Sequence, residues 1–445
     1  MKRLYSLVAL MAIVGSCLDS QAADSAESTN HVYPIDLATT MKLAGARNLD
    51  VQIARQRLAE ARATREAAVW SFLPTVSPGL SYRRHDNLIQ TVEGRMIETE
   101  KESYTVGPTV TAQVDLGEAI FRELAAHQLL KAADYALESQ RQESLAVAAQ
   151  NYFDLVRASA AIEVAREAVR ISTNYAAQVE RATGAGIAFK GDQLRVQVQT
   201  EKNRQVLRRA QEQERVAAAR LAQVLHLERA VELRSRPDEL VPLQLVDAQA
   251  ALATLVQQAL NSRPEVKESR SRIAAAKDAR SGAVYGPLIP SAGAQVYAGG
   301  LGGSMNGTSG TFGESEDYLV TLGWKIGPGG LFDRSRVRLA ESRLNIARLS
   351  GEKLDDEITR QVIEAQTHFQ SSADQLEIVR RAAQAAEESL RLTGSRKEFG
   401  VGAVLENILA EEELTRSRLE LLNVVAEYNK AQFAVQRALG QMGKE

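Results

Sequence analysis

Four stretches of the chain alternate apolar and polar residues with a period of two. Tyr104, Val106, Pro108, Val110, Ala112 and Val114 alternate with Thr105, Gly107, Thr109, Thr111 and Gln113. Tyr318, Val320, Leu322, Trp324 and Ile326 alternate with Leu319, Thr321, Gly323 and Lys325. Val76, Pro78, Leu80 and Tyr82 follow Pro74 in a weaker version, and Ala292, Ala294, Val296 and Ala298 follow Pro290. Period two predicts strands with one apolar face. Each run is about ten residues, the length a tilted strand needs to cross a bilayer's hydrocarbon. Pro78 and Pro108 each remove a ladder donor, which counts against this placement. The intervening segments, 85–102 and 299–316, read as polar or glycine-rich surface loops, with 299–303 a flexible one.

The remaining pattern is helical. Residues 109–236 and 329–445 contain no proline and are rich in Ala, Glu, Gln, Arg and Leu, which predicts long helices. Leu155, Ala158, Ile162, Ala165, Val169, Ser172, Ala176 and Val179 keep the alternating three and four spacing of a coiled-coil seam. Near the C-terminus Leu421, Val425, Tyr428, Val435 and Leu439 form one apolar line, and Leu419, Leu422, Ala426 and Phe433 another beside it. A helix with two seams touches neighbours on both sides, like a stave in a cylinder. An unbroken helix over 118–183 would be about 100 Å long at 1.5 Å per residue. An ordinary bundle core is the competing reading of the same periodicity.

The plan occurs twice. Leu37, Ala44, Val51, Arg55 and Arg65 recur 215 positions later as Leu252, Ala259, Val266, Arg270 and Arg280, and Pro74 recurs as Pro290. Phe121 matches Phe332, and Gly184 matches Gly400. The ordered series predicts a duplicated half, with one repeat over 35–240 and a second over 248–440. Four strands cannot close a barrel, and an open edge in lipid leaves backbone groups unpaired. The chain is therefore expected to oligomerise, three copies supplying about twelve strands around a lumen.

Residues 1–22 read as a secretory signal peptide: Met1-Lys2-Arg3, an apolar run from Leu4 to Gly15, and a small-residue cleavage site at Ser20-Gln21-Ala22. The only cysteine, Cys17, follows Val14-Gly15-Ser16, an alternative lipoprotein box. A lone cysteine excludes an internal disulfide. The net charge of −2 carries no basic surplus for a nucleic-acid partner. The histidines, at 31, 85, 127, 226 and 368, fall in no metal motif. Ser350-Gly351-Glu352-Lys353 matches a penicillin-recognising motif without its companions. No catalytic residue, cofactor or metal site is expected.

These motifs resemble the TolC family of outer-membrane ducts over nearly the whole mature chain. Leu73-Pro74 and Ile289-Pro290 stand where helix passes into strand, Gly330-Leu331-Phe332-Asp333 where strand passes into helix, and Gly400-Val401-Gly402 with Glu406 at a helical turn. In the first copy, Asp115 to Phe121 is a degenerate strand exit, and 186–192 carries about two extra residues. The resemblance implies a mainly α protein with a long coiled-coil tunnel, closed as a trimeric 12-stranded barrel in the outer membrane of a Gram-negative bacterium. It implies a homotrimer docked to a periplasmic adaptor and an inner-membrane transporter. Adaptor docking would fall on the turns holding Gly184 and Gly186, and Gly400 and Gly402. A periplasmic gate would fall at Glu406, Leu409 and Asp192, three Glu406 carboxylates meeting at the threefold axis. A solvated glutamate favouring the helix dipole is the competing reading of Glu406. Glu411, Glu412 and Glu413 read as a wet helical face. A periplasmic or lipid-anchored coiled-coil scaffold, its strands forming a soluble subdomain, is the alternative to the duct.

Overall fold

A computed structural model describes residues 32–227, 232–247, 250–306, 308, 310–398 and 404–443. Residues 1–22, read above as a signal peptide, with Cys17 among them, and Gly400 and Gly402 lie outside the described residues. The elements are β1 (Val32–Pro34), α1 (Leu37–Arg47), α2 (Leu49–Trp70), β2 (Thr75–His85), β3 (Leu88–Gln90), β4 (Met96–Glu98), β5 (Lys101–Asp115), α3 (Leu116–Gly184) and α4 (Lys190–Val224). There follow β6 (Glu232–Arg234), α5 (Leu252–Ser262), α6 (Pro264–Tyr285), β7 (Ser291–Met305), β8 (Thr311–Gly323), α7 (Arg334–Glu398) and α8 (Val404–Ala438). Two helices, two long strands and two long helices thus occur in the same order on either side of the 240s.

The 69-residue α3 runs unbroken, because its sequence offers no proline and its seam keeps the helical period throughout. Leu155, Ala158, Ala165, Ser172 and Val179 of that seam are buried. Near the strands the helices lie side by side in the order α2, α3, α6, α7; further away the order is α4, α3, α8, α7. Both apolar lines of α8 are used. Leu419 and Leu422 pack toward Ala161 and Ile162 of α3, and Val425 packs toward Leu376 of α7. The largest core lies where α1, α3, α4, β6 and α8 meet, around Phe153, Leu155, Leu221, Leu233 and Phe433.

Several sequence pairs spaced 215 apart share their surroundings. Ala44 and Ala259 are both fully buried, as nearly are Val51 and Val266. Arg65 Nε bonds Glu123 Oε1 at 3.0 Å between α2 and α3, and Arg280 Nη2 bonds Glu341 Oε1 at 3.2 Å between α6 and α7.

The sheet has the order β2-β5-β7-β8, antiparallel throughout. Pro78 lies opposite Pro108. Two prolines can face each other only at a non-hydrogen-bonded pair, so neither demands a donor from the other. The cost falls on the next joint, where the β5–β7 ladder is interrupted at Gly107 and Pro108.

Two strand expectations need correction. β8 ends at Gly323 rather than Ile326, because its partner strand begins at Ser291, after Pro290, and the chain then turns: Leu331 N–H donates to Lys325 O at 2.8 Å and Gly327 has φ +105°. The glycine run 299–303 is strand, not loop. A Cβ at Gly302 would strike the Tyr104 ring and one at Gly300 the Phe312 ring, so these glycines make room for two stacked aromatics whose centroids are 5.9 Å apart.

Candidate functional site

Cross-strand register brings the four apolar runs onto one face. Val76, Val110, Val296 and Tyr318 lie in one rung, and Leu80, Val106 and Gly300 belong to another. The face looks outward: Val320 is 82% exposed and Leu80 75%. Tyr82, Tyr104 and Phe312 share its far end through the same register. Trp70, Tyr285 and Trp324 are exposed near the helical end, where the Trp324 indole donates to Leu288 O at 3.1 Å. An apolar band between aromatic rows is the pattern of a lipid-facing barrel wall. The opposite face presents Ser81, Thr105, Thr109, Gln295, Ser315 and Asp317 around a hollow of about 640 Å³. β2 and β8 have no strand partner on their outer edges among the described residues. Among these residues no helix is long and apolar enough to cross a membrane.

At the other end, Gly186 adopts φ +75°, where a side chain would be strained, and Ile187 N–H returns to Ala182 O at 2.8 Å to close α3. Gly184 has open space around it. Ile187 and Phe189 beside these glycines are exposed. Glu406 and Leu409 share an open groove of about 510 Å³ with Arg396, Glu412 and Arg416. Arg396 Nη1 donates to Glu406 Oε2 at 3.3 Å. Asp192 does not line that groove; it stands in the first turn of α4 and accepts from Arg195 at 3.2 Å.

Glu411 contradicts its expected place on a wet face. It is 1% exposed, whereas Glu413 is exposed. It falls on the stripe of buried positions Ile408, Glu411 and Leu414, a spacing of three that was legible in the sequence but concealed by two neighbouring glutamates. Asn203 Nδ2 donates to Glu411 Oε1 at 3.0 Å and also reaches Ala168 O at 3.3 Å, while Gln199 Nε2 donates to Asn203 Oδ1. Glu411 Oε2 is buried without a hydrogen-bond partner. Burial pushes the Glu411 carboxyl up to about 7, against the lowering effect of the Asn203 bond. A second, partly buried carboxylate, Glu265, collects donors from Arg263, Arg437 and Ser139. Burial raises its pKa, but the Arg263 bond and the Arg437 and Arg263 charges reverse the shift and hold it at about 2.

A lipid-facing strand panel joined to a bundle of helices about 100 Å long defines the class: a chain built to stand in an outer membrane and reach into the periplasm. The sequence model of the family described as outer membrane efflux protein matches residues 40–225 and 255–441, and the chain belongs to that family. Protein CyaE of Bordetella pertussis is 26% identical over 331 residues, covering 72% of this chain and 67% of that protein. A membrane protein from Pseudomonas aeruginosa has a TM-score of 0.77 at 21% identity, covering 91% of this chain and 93% of that one. The CmeC outer membrane channel of Campylobacter jejuni has 0.73 at 16% identity, covering 92% and 87%. These structural likenesses establish the fold.

Proposed function

We propose that the chain is one protomer of a homotrimeric outer-membrane exit duct, through which substrates of a tripartite efflux or type I secretion system leave passively. The carrying observation is the sheet: one exposed apolar face in register over four strands, a polar opposite face, and two free edges. In lipid such edges must be paired, and further copies of the chain supply the strands. Exposed apolar residues on the outer helices support the same assembly: Leu339, Ile346, Leu349 and Ile378 on α7, Leu194 and Val198 on α4. The two repeats, 35–240 and 248–440, each contribute half of the wall. The duct acts without chemistry or a cofactor.

The tip is the proposed entrance. Glu406 and Leu409 line it, with Asp192 on the neighbouring hairpin, and the turns at Gly184, Gly186, Gly400 and Gly402 receive a periplasmic adaptor that links the duct to an inner-membrane transporter. Support comes from the exposure of Glu406 and Leu409 and from the exposed Ile187 and Phe189. Cys17 lipidation remains the alternative to cleavage after Ala22.

The test is the mass of the purified protein in detergent and its conductance in a planar bilayer. A trimer whose current rises when the tip is loosened is expected. A monomer soluble without detergent, silent under every tip substitution, would sink the duct. Glu406→Ala should weaken cation block of the trimer; an unchanged block removes Glu406 from the gate.

A further inference from the structure

We infer that the free edge of β8 pairs antiparallel with β2 of a second copy of this chain, with Leu322 opposite Leu80 and Thr321 opposite Ser81. The inference rests on the barrel reading above and states where its joint lies.

The chain carries its own template for this joint. Aligning Pro74 with Pro290 puts Val76, Pro78 and Leu80 at the positions of Ala292, Ala294 and Val296. Their cross-strand partners are Val110, Pro108 and Val106 in one hairpin, and Leu322, Val320 and Tyr318 in the other. The hairpins therefore correspond residue for residue, Val110 with Leu322. One joint between hairpins already exists inside the chain, where β5 meets β7 with Val110 opposite Val296 and Thr109 opposite Tyr297. Exchanging each residue for its counterpart gives Leu322 opposite Leu80, and Thr321 opposite Ser81, of the next copy.

This register satisfies the side chains. Val320 meets Tyr82 and Leu322 meets Leu80, so the apolar face continues across the joint. Asp317 comes opposite His85 on the polar face, and Arg84 comes beside Tyr318 and diagonal to Glu316. Opposite charges at such cross-strand positions attract.

The membrane belt supplies a second, separate argument. Take the middle of each apolar run and carry it along the rungs to β5. Gly79 of β2 arrives at Gly107, β5 has its own middle at Thr109, Gln295 arrives at Thr111, and Val320, the middle of the run Tyr318 to Leu322, arrives at Ala112 by way of Ala294. The belt moves steadily in one direction along the strands, as inclined strands crossing a level membrane require. In the inferred register Gly79 of the next copy faces Gly323, which reaches Asp115 through Ser291. The belt advances again in the same sense. A register four residues shorter would send it backwards.

The rung through Val76, Val110, Val296 and Tyr318 then arrives at Arg84 of the next copy, eight positions along β2. Three copies give a shear of about twenty-four over about twelve strands, an inclination of roughly 50° and a backbone diameter of about 30 Å for 4.8 Å strand spacing and 3.3 Å rise. That leaves an open lumen.

Paired cysteines in the full-length membrane protein test the register. Because Pro78 and Pro108 face each other at a non-hydrogen-bonded pair, the template pair Thr109–Tyr297 is of that close type too, and so is Thr321 with Ser81. Ser81→Cys combined with Thr321→Cys should give covalent dimers and trimers on mild oxidation, at least tenfold more than either single variant. Thr321→Cys with Gly79→Cys, or with Arg83→Cys, should cross-link at least tenfold less. Preferential linking of either shifted pair overturns the register and keeps the barrel. No linking of any pair in a protein that is trimeric by mass in detergent overturns the β8–β2 joint. No linking in a detergent-free monomer overturns the duct itself.

Discussion

Asn203 Nδ2 reaches across from α4 to Glu411 Oε1 on α8 at 3.0 Å, a buried polar contact near the tip. Tyr175 of α3 lies near both Glu411 and Asp192 of α4, and among the described residues no cation is paired with Glu411. Its pKa of about 7 lies above the ordinary 4.5. The folded protein therefore holds a proton that the unfolded chain releases between these values. The resulting stability is fully present below pH 4.5 and is lost as pH rises to 7, by roughly 3 kcal/mol at 1.36 kcal/mol per unit. Glu411→Gln should abolish that component. The check is the difference in thermal midpoint between wild type and variant across pH 4.5 to 8, which should shift steadily in favour of Gln; a difference independent of pH would show the carboxyl to be ionised throughout.

Glu265 behaves in the opposite sense. Its carboxylate receives Arg263 at 3.2 Å and Arg437 at 2.5 Å, while Arg437 also holds Glu143 at 2.9 Å, joining α6, α8 and α3. With its pKa lowered to about 2, its contribution is present above pH 4.5 and is lost as pH falls from there toward 2. Glu265→Ala leaves the buried Arg263 and the partly buried Arg437 without this partner and should cost about 3 kcal/mol. Glu265→Gln should retain part of that stability while losing the acid sensitivity. Urea unfolding at pH 7 and at about pH 2.5, inside the window in which the carboxylate loses its contribution, distinguishes the two variants.

The segment 241–245 between the halves belongs to no strand, and four of its backbone groups bond side chains of α8 instead. Asn429 donates to Val241 O at 2.8 Å and accepts from Leu243 N at 2.9 Å; Gln432 donates to Leu243 O at 2.9 Å and accepts from Leu245 N at 2.6 Å. Two buried amides on one face of α8 thus imitate a β ladder. Asn429→Leu should strand a backbone donor and acceptor at about 1–3 kcal/mol each where water is excluded. Faster hydrogen exchange at Leu243 and earlier proteolysis of the 240s are the expected readouts.

The long helices and the strand faces were legible in the sequence because each rests on a repeated interval. The seam from Leu155 to Val179 and the alternation from Tyr104 to Val114 survive any single exception. Glu411 was misread: one buried carboxylate among three consecutive glutamates breaks the rule that makes such runs solvated, and its spacing of three from Ile408 and Leu414, though present in the sequence, was outweighed by that run. The end of β8 escaped because Trp324 and Ile326 keep alternating after the ladder has lost its partner at Pro290. The glycines at 300 and 302 read as loop because composition cannot show that an absent side chain makes room for a ring on the next strand.

The outward face offers the sharpest division between lipid and water. Val320 stands at its middle, 82% exposed, and Thr321 next to it points to the polar side. A lysine at a lipid-facing position near the bilayer centre costs about 2–4 kcal/mol, and much less at the lumen. Val320→Lys should therefore reduce the folded, heat-resistant oligomer extracted from outer membranes, while Thr321→Lys should assemble at wild-type levels and alter ion selectivity instead. Val110→Lys, two strands further in, should repeat the effect of Val320→Lys. A soluble scaffold predicts the reverse emphasis: an exposed lysine at 320 would improve solubility, and neither substitution would alter membrane content. Measuring oligomer yield for all three variants in the same membrane preparation decides between lipid and water as the solvent of this face.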